Sequence, residues 1–143
     1  MIHFHIEPPL VFALASTNSL QQWLTKICQS KSHKIMGLNY IFCTDDYLLE
    51  INQQYLAHDY YTDVITFDHS ETEQVIEGDI FISIDRVKEN AQDLQLPFEQ
   101  ELKRVMAHGL LHLLGFGDKT PTEEKEMRQQ EEQALALFSS SMS

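Results

Sequence analysis

The run His108-Gly109-Leu110-Leu111-His112-Leu113-Leu114-Gly115-Phe116-Gly117-Asp118 holds the densest chemistry in the chain. His108 and His112 stand at i and i+4. On a helix that spacing puts both imidazoles on one face, about 5–6 Å apart at Cβ. Each can then offer one nitrogen to a shared metal at roughly 2.0–2.1 Å. Gly115 follows within one helical turn. A glycine there takes the left-handed conformation that ends a helix and turns the chain back. Asp118 can then swing in as a third ligand. Three protein ligands leave a tetrahedral metal one position for water, which is the arrangement of catalytic rather than structural zinc. Two plainer readings stand beside this one. A histidine pair in an apolar helix occurs by chance, and Gly117-Asp118-Lys119-Thr120 has the composition of a turn.

Histidines four apart, a glycine at the seventh position and a ligand at the tenth also match the spacing of metzincin metalloproteases. Those enzymes place a glutamate directly after the first histidine as general base. Here that residue is Gly109, which carries no proton, so standard peptidase chemistry is excluded. A hydrolase acting on a small amide or ester has only the metal ligands in its favour. For a phosphodiester substrate the nearest cations in sequence are Lys119, Arg104, Lys103 and Arg86, each of which is also an ordinary surface charge.

The elements that must position these groups read as follows. Residues 2–7 alternate, with Ile2, Phe4 and Ile6 on one side and His3, His5 and Glu7 on the other, the pattern of a half-buried strand. Thr17 or Asn18 caps a helix to about Cys28, with Leu20, Trp23, Leu24 and Ile27 at helical spacing. Trp23 reads as core. His33 sits in a polar connector. Residues 35–43 form a second strand, with Leu38, Tyr40 and Phe42 on one face. A helix runs from about Asp45 to Tyr55, and a loop follows from Leu56 to Tyr61. Val64–Phe67 and residues 76–84 form two further strands joined by a hairpin-like return. Helices follow over about 85–94 and 98–114. Thr120-Pro121-Thr122-Glu123 starts a last helix, with proline at its first position and a capping-box glutamate, reaching about Phe138. Residues 138–143 read as a frayed tail. The order β-α-β-α-β-β-α-α-α describes one α+β domain over 1–143: a small mixed β-sheet packed with helices. Its early β-α-β steps should give parallel neighbours.

Composition sets the outer limits. The chain has 143 residues, of which 43% are hydrophobic. That is enough to bury a core without disulfides. Cys28 and Cys43 are too few for a disulfide scaffold and read as buried thiols. No apolar run approaches the roughly 20 residues of a membrane span, and residues 1–7 lack a signal-peptide pattern; both favour the cytoplasm. Asp plus Glu total 22 against 10 Lys plus Arg, a net charge of −12. This argues against indiscriminate phosphate binding. The acids Glu123, Glu124, Glu126, Glu131 and Glu132 cluster near the C-terminus, where they read as a solvated helix face or a docking face for a basic partner.

Four blocks occur in order: Asn52-Gln53-Gln54-Tyr55, Thr62-Asp63-Val64-Ile65-Thr66-Phe67, Gly78-Asp79-Ile80, and His108 to Gly115. Together they resemble the YbeY family of bacterial endoribonucleases, over about residues 48–132. The resemblance implies a zincin-like α+β fold, with one zinc ion held on a central helix and the turn after it. It implies a cytoplasmic, single-strand-specific nuclease acting in 3′-end maturation of small-subunit (16S) ribosomal RNA and in ribosome quality control. His108 and His112 carry over as zinc ligands. Two positions depart from the family pattern. Asp118 stands where the commonest pattern has a third histidine, a carboxylate being an acceptable zinc ligand that favours harder ions. Leu56 stands where the family often has a phosphate-binding arginine, so His58 or Lys119 becomes the candidate replacement, with Arg104 as a further substrate contact. Thr62 and Asp63 are candidates to shape the cleft, either as a structural turn or by holding water near the metal. The alternative function is a ribosome-assembly factor that binds small-subunit RNA or a ribosomal protein, with a mainly structural metal.

Overall fold

The computed structural model describes the backbone of residues 1–142 and the side chains through Phe138. Nine elements follow in the expected order: β1 (Ile2–Ile6), α1 (Thr17–Ser30), β2 (Lys34–Cys43), α2 (Asp45–Leu56), β3 (Val64–Asp68), β4 (Val75–Ser83), α3 (Ile84–Leu94), α4 (Phe98–Leu113) and α5 (Pro121–Met142). The strands form one mixed sheet in the order β1-β2-β4-β3. β1 and β2 are parallel, as the first β-α-β step requires. The second step differs: β2 neighbours β4 in parallel, and β3 is displaced to the edge, antiparallel to β4. The short β3–β4 return causes this, because a hairpin forces antiparallel pairing and β4 takes the inner place.

The alternation of the strands decides the layers. Leu38, Tyr40 and Phe42 of β2 and Ile80 and Ile82 of β4 point to one face, where they join Trp23, Leu24 and Ile27 of α1 and Leu102, Val105, Met106 and Leu110 of α4. Cys43 and Ile65 point to the other face, against Leu48 of α2, with Phe67 and Phe81 beside them. The histidine-bearing helix α4 thus lies on the main core face of the sheet. Trp23 is core, as its spacing implied, and its Nε1–H donates to the Ala134 carbonyl of α5 at 2.6 Å. The Tyr40 hydroxyl donates to the Met106 carbonyl of α4 at 2.9 Å. The first bond ties α1 to α5, and the second ties the sheet to the helix that carries the histidines.

Cys28 and Cys43 are free and buried. Burial pushes both thiols up to about 12, with the carboxylates of Glu7, Asp45 and Asp85 adding to it at Cys43. Among the described residues no helix is long and apolar enough to cross a membrane.

The local differences from expectation lie at helix ends. α1 starts after Ser16, which has a left-handed backbone and makes no side-chain cap, so neither Thr17 nor Asn18 is the cap. α5 begins as expected, with the Glu123 amide donating to Thr120 Oγ1 at 3.1 Å. Its glutamate reaches back one residue further than a capping box, accepting from the Lys119 amide at 3.0 Å. The helix then continues to Met142, past the expected end near Phe138. Of the tail expected to fray, Ser143 and the side chains from Ser139 onward lie outside the described residues.

Candidate metal centre

α4 is a helix whose apolar positions face the sheet and whose last two turns carry the histidines. Its end is built as the glycine spacing implied. The Phe116 amide donates to the Leu111 carbonyl at 3.0 Å and the Gly115 amide to the His112 carbonyl at 3.0 Å. Gly115 has φ +104°. This is a Schellman closure, in which the left-handed glycine lets the chain reverse and satisfies the last carbonyls. The reversed chain brings Asp118 back over the histidine face. Glu123 steadies that return, because its Oε1 accepts from the Lys119 amide while α5 begins beneath it.

The three expected ligands converge. His108 Nε2 lies 3.4 Å and His112 Nε2 3.3 Å from Asp118 Oδ2. The two Nε2 atoms are 3.0 Å apart, with the rings nearly perpendicular. They form the one group of three His, Cys, Asp or Glu side chains with metal-binding geometry among the described residues. A tetrahedral centre with bonds of roughly 2.0–2.1 Å has ligand atoms about 3.3–3.4 Å apart. The observed triangle has that size, so the donor set fits one small cation. The imidazoles are largely enclosed, at 18% and 24% side-chain exposure, while Asp118 is at 40%. The carboxylate therefore marks the open side of the site.

Gly109 has a packing reason. A Cβ there would lie 2.8 Å from Ile80 Cγ2 and 3.4 Å from Val64 Cγ2. α4 rests directly on β3 and β4 at this point, so the position after the first histidine faces the sheet. The residue that serves as base in zinc peptidases is absent because the helix needs that space.

Glu131 corrects the sequence reading. The C-terminal acids read as a solvated helix face or a docking face, but Glu131 is 6% exposed. Its Oε2 accepts from His108 Nδ1 at 2.6 Å, and its Oε1 accepts from Arg104 Nη1 at 3.2 Å. Burial pushes its carboxyl up, but the His108 hydrogen bond and the Arg104 guanidinium outweigh burial and hold it below the usual carboxylate value. The readable signal was register: Glu131 shares the stripe of Met127 and Ala134, which are buried. An acid on such a stripe needs a partner.

The candidate substrate contacts are scattered. Arg104 donates from Nε and Nη2 to both oxygens of Glu101, at 2.8 and 2.7 Å, and from Nη1 to Glu131. The bonds to Glu101 raise its pKa against the effect of burial. All three of its nitrogens thus hold carboxylates. Arg86 bonds Asp45 at 2.8 Å and lies over the Tyr61 ring. Lys103 lies over Phe138. Lys119 is exposed and directly follows Asp118. His58 is exposed in the loop after α2, stacked on Tyr60. Thr62 and Asp63 lie just before β3; the Asp63 carbonyl accepts from the Ser83 amide at 3.0 Å, and its Oδ2 accepts from Asn90 Nδ2 at 3.3 Å. Asp63 therefore pins the start of β3 to α3.

A helix-borne histidine pair, a left-handed turn and a returning carboxylate, set on a small mixed sheet, define an α+β protein whose His108, His112 and Asp118 side chains could hold one metal ion. The family model for Endoribonuclease YbeY matches residues 12–139. The chain is 50% identical over 134 residues to Endoribonuclease YbeY of Cytophaga hutchinsonii, covering 94% of each chain. It is 50% identical over 138 residues to the Flavobacterium psychrophilum protein of the same name, covering 96% of each. The solution structure of a Thermotoga maritima protein superposes with a TM-score of 0.67 at 28% identity, covering 96% of this chain and 89% of that one. The chain belongs to the YbeY endoribonuclease family.

Proposed function

We propose that this chain, as one catalytic domain of zincin-like type, is a metal-dependent endoribonuclease specific for single-stranded RNA. In this reading it acts in the cytoplasm, in 3′-end maturation of small-subunit (16S) ribosomal RNA and in ribosome quality control. The observation that carries the proposal is the triangle of His108 Nε2, His112 Nε2 and Asp118 Oδ2, of tetrahedral size and open on the carboxylate side. These three side chains would hold one divalent ion, zinc by the donor set. When bound, such an ion polarises a phosphoryl oxygen and makes water nucleophilic near neutral pH. The chain's own groups do the rest. The imidazoles close the inner side of the site. Asp118 neutralises charge at the mouth. Lys119 is placed to meet a phosphate beside Asp118, and exposed His58 is the second candidate contact. Thr62 and Asp63 shape the approach by fixing the start of β3. Arg104, fully engaged with Glu101 and Glu131, acts on the centre through them.

The acids Glu124 and Glu132 are exposed on α5. They favour a second reading: an assembly factor that docks a basic ribosomal protein, with a mainly structural metal. Cleavage of single-stranded RNA by zinc-loaded protein separates the two. His112→Ala should lose more activity than the roughly 10–100-fold typical of removing a partner behind a ligand. Equal cleavage by parent and variant would assign the activity to a contaminant. Co-sedimentation with small ribosomal subunits without cleavage would favour the assembly reading.

A further inference from the structure

We propose that Glu131 is the positioning residue of the metal centre, locking His108 as the Nδ1–H tautomer, with Arg104 and Glu101 holding Glu131 in place. The consequence for metal binding rests on the metal-dependent reading above; the tautomer itself does not. The contacts form one line through two helices. Glu101, fully buried, grips Arg104 with both oxygens. Arg104 gives its remaining nitrogen to Glu131 Oε1, and Glu131 Oε2 meets His108 Nδ1. An ionised carboxylate only accepts. His108 must therefore donate from Nδ1, and in the neutral ring Nε2 is then a bare lone pair facing His112 and Asp118. The 3.0 Å contact between the two Nε2 atoms agrees, since it needs only one proton and His112 can supply it.

A buried ion pair between α4 and α5 could also serve packing alone. Glu131→Gln distinguishes the two roles because it keeps size and shape. Arg104 can only donate, so it takes the amide oxygen of the new side chain. The amide nitrogen then faces His108 and donates to Nδ1. The ring proton is driven to Nε2, the atom that must be bare to bind a metal.

The test uses the full chain. Imidazole nitrogen chemical shifts of the metal-free parent should show His108 protonated at Nδ1. Glu131→Gln should move that proton to Nε2 and weaken zinc affinity, measured against a competing chelator, by roughly 10–100-fold. Arg104→Lys, which can still donate to Glu131, should keep the parental tautomer and lose less affinity. The proposal is overturned by an Nε2–H tautomer in the parent, a measurement that needs no variant to fold. It is also overturned if Glu131→Gln binds zinc as tightly as the parent, or binds it more weakly with the tautomer unchanged. A parent that binds no zinc yet shows the Nδ1–H tautomer would overturn the metal reading and leave the lock standing.

Discussion

Asp118 is where this chain departs most from a three-histidine centre, and its effect follows from ligand chemistry. A carboxylate oxygen is harder than an imidazole nitrogen and carries a negative charge, so it improves the site's standing with hard ions such as Mn2+ relative to Zn2+. Asp118→His should therefore shift the zinc-over-manganese preference upward by about tenfold, roughly 1.4 kcal/mol. Competitive metal titration of the two proteins measures this; an unchanged or reversed ratio would show that Asp118 is not a ligand. His108, His112 and Asp118 were legible in the sequence because helix pitch and one glycine place them within eleven consecutive residues. Glu131 was not, because its role depends on how α5 packs on α4, and among five neighbouring glutamates its charge looked like solvent-facing charge. The partners of Arg104 were half legible: Glu101 stands three residues before it on α4, whereas only the packing of α5 on α4 brings Glu131 to it.

At the scale of elements, the centre depends on how closely α4 sits on the sheet. The periodicities located every strand and helix, since alternation and helical spacing are local signals. What they missed was edge order: nothing local says that β4 pairs with β2 and leaves β3 outside. That order puts Val64 of β3 and Ile80 of β4, diagonal to each other in the register, under Gly109. Ile80 is fully buried and β-branched, so it has little freedom to move away. Gly109→Ala should thus lift α4 or strain Ile80 and cost about 1–3 kcal/mol, even though alanine favours helix by roughly 1 kcal/mol over glycine. Urea unfolding would show the lowered midpoint. The variant should also bind zinc less well, because His108 moves with the helix. A Gly109→Ala protein more stable than the parent would mean that α4 does not press on β3 and β4.

For the molecule as a whole, the governing quantity is a net charge of −12 set against a polyanionic substrate. The local cations do little to offset it. Arg86 and Arg104 are paired with carboxylates and Lys103 lies over Phe138, which leaves Lys119 beside the centre with its side chain exposed. A basic nuclease captures RNA by releasing counterions, so its apparent affinity falls as salt rises. Here long-range repulsion opposes encounter, and salt screens repulsion as well as attraction. The Debye length shrinks from roughly 30 Å at 0.01 M to about 10 Å at 0.1 M, from nearly the size of the domain to well within it. KM for a short single-stranded RNA should therefore fall, by severalfold, as monovalent salt rises across that range, with kcat nearly constant because the site itself is short-ranged. Steady-state kinetics at fixed metal concentration tests this. A KM that climbs steadily from the lowest salt would mean that a local basic patch outweighs the overall charge, and would place the phosphate contacts on residues other than Lys119 alone.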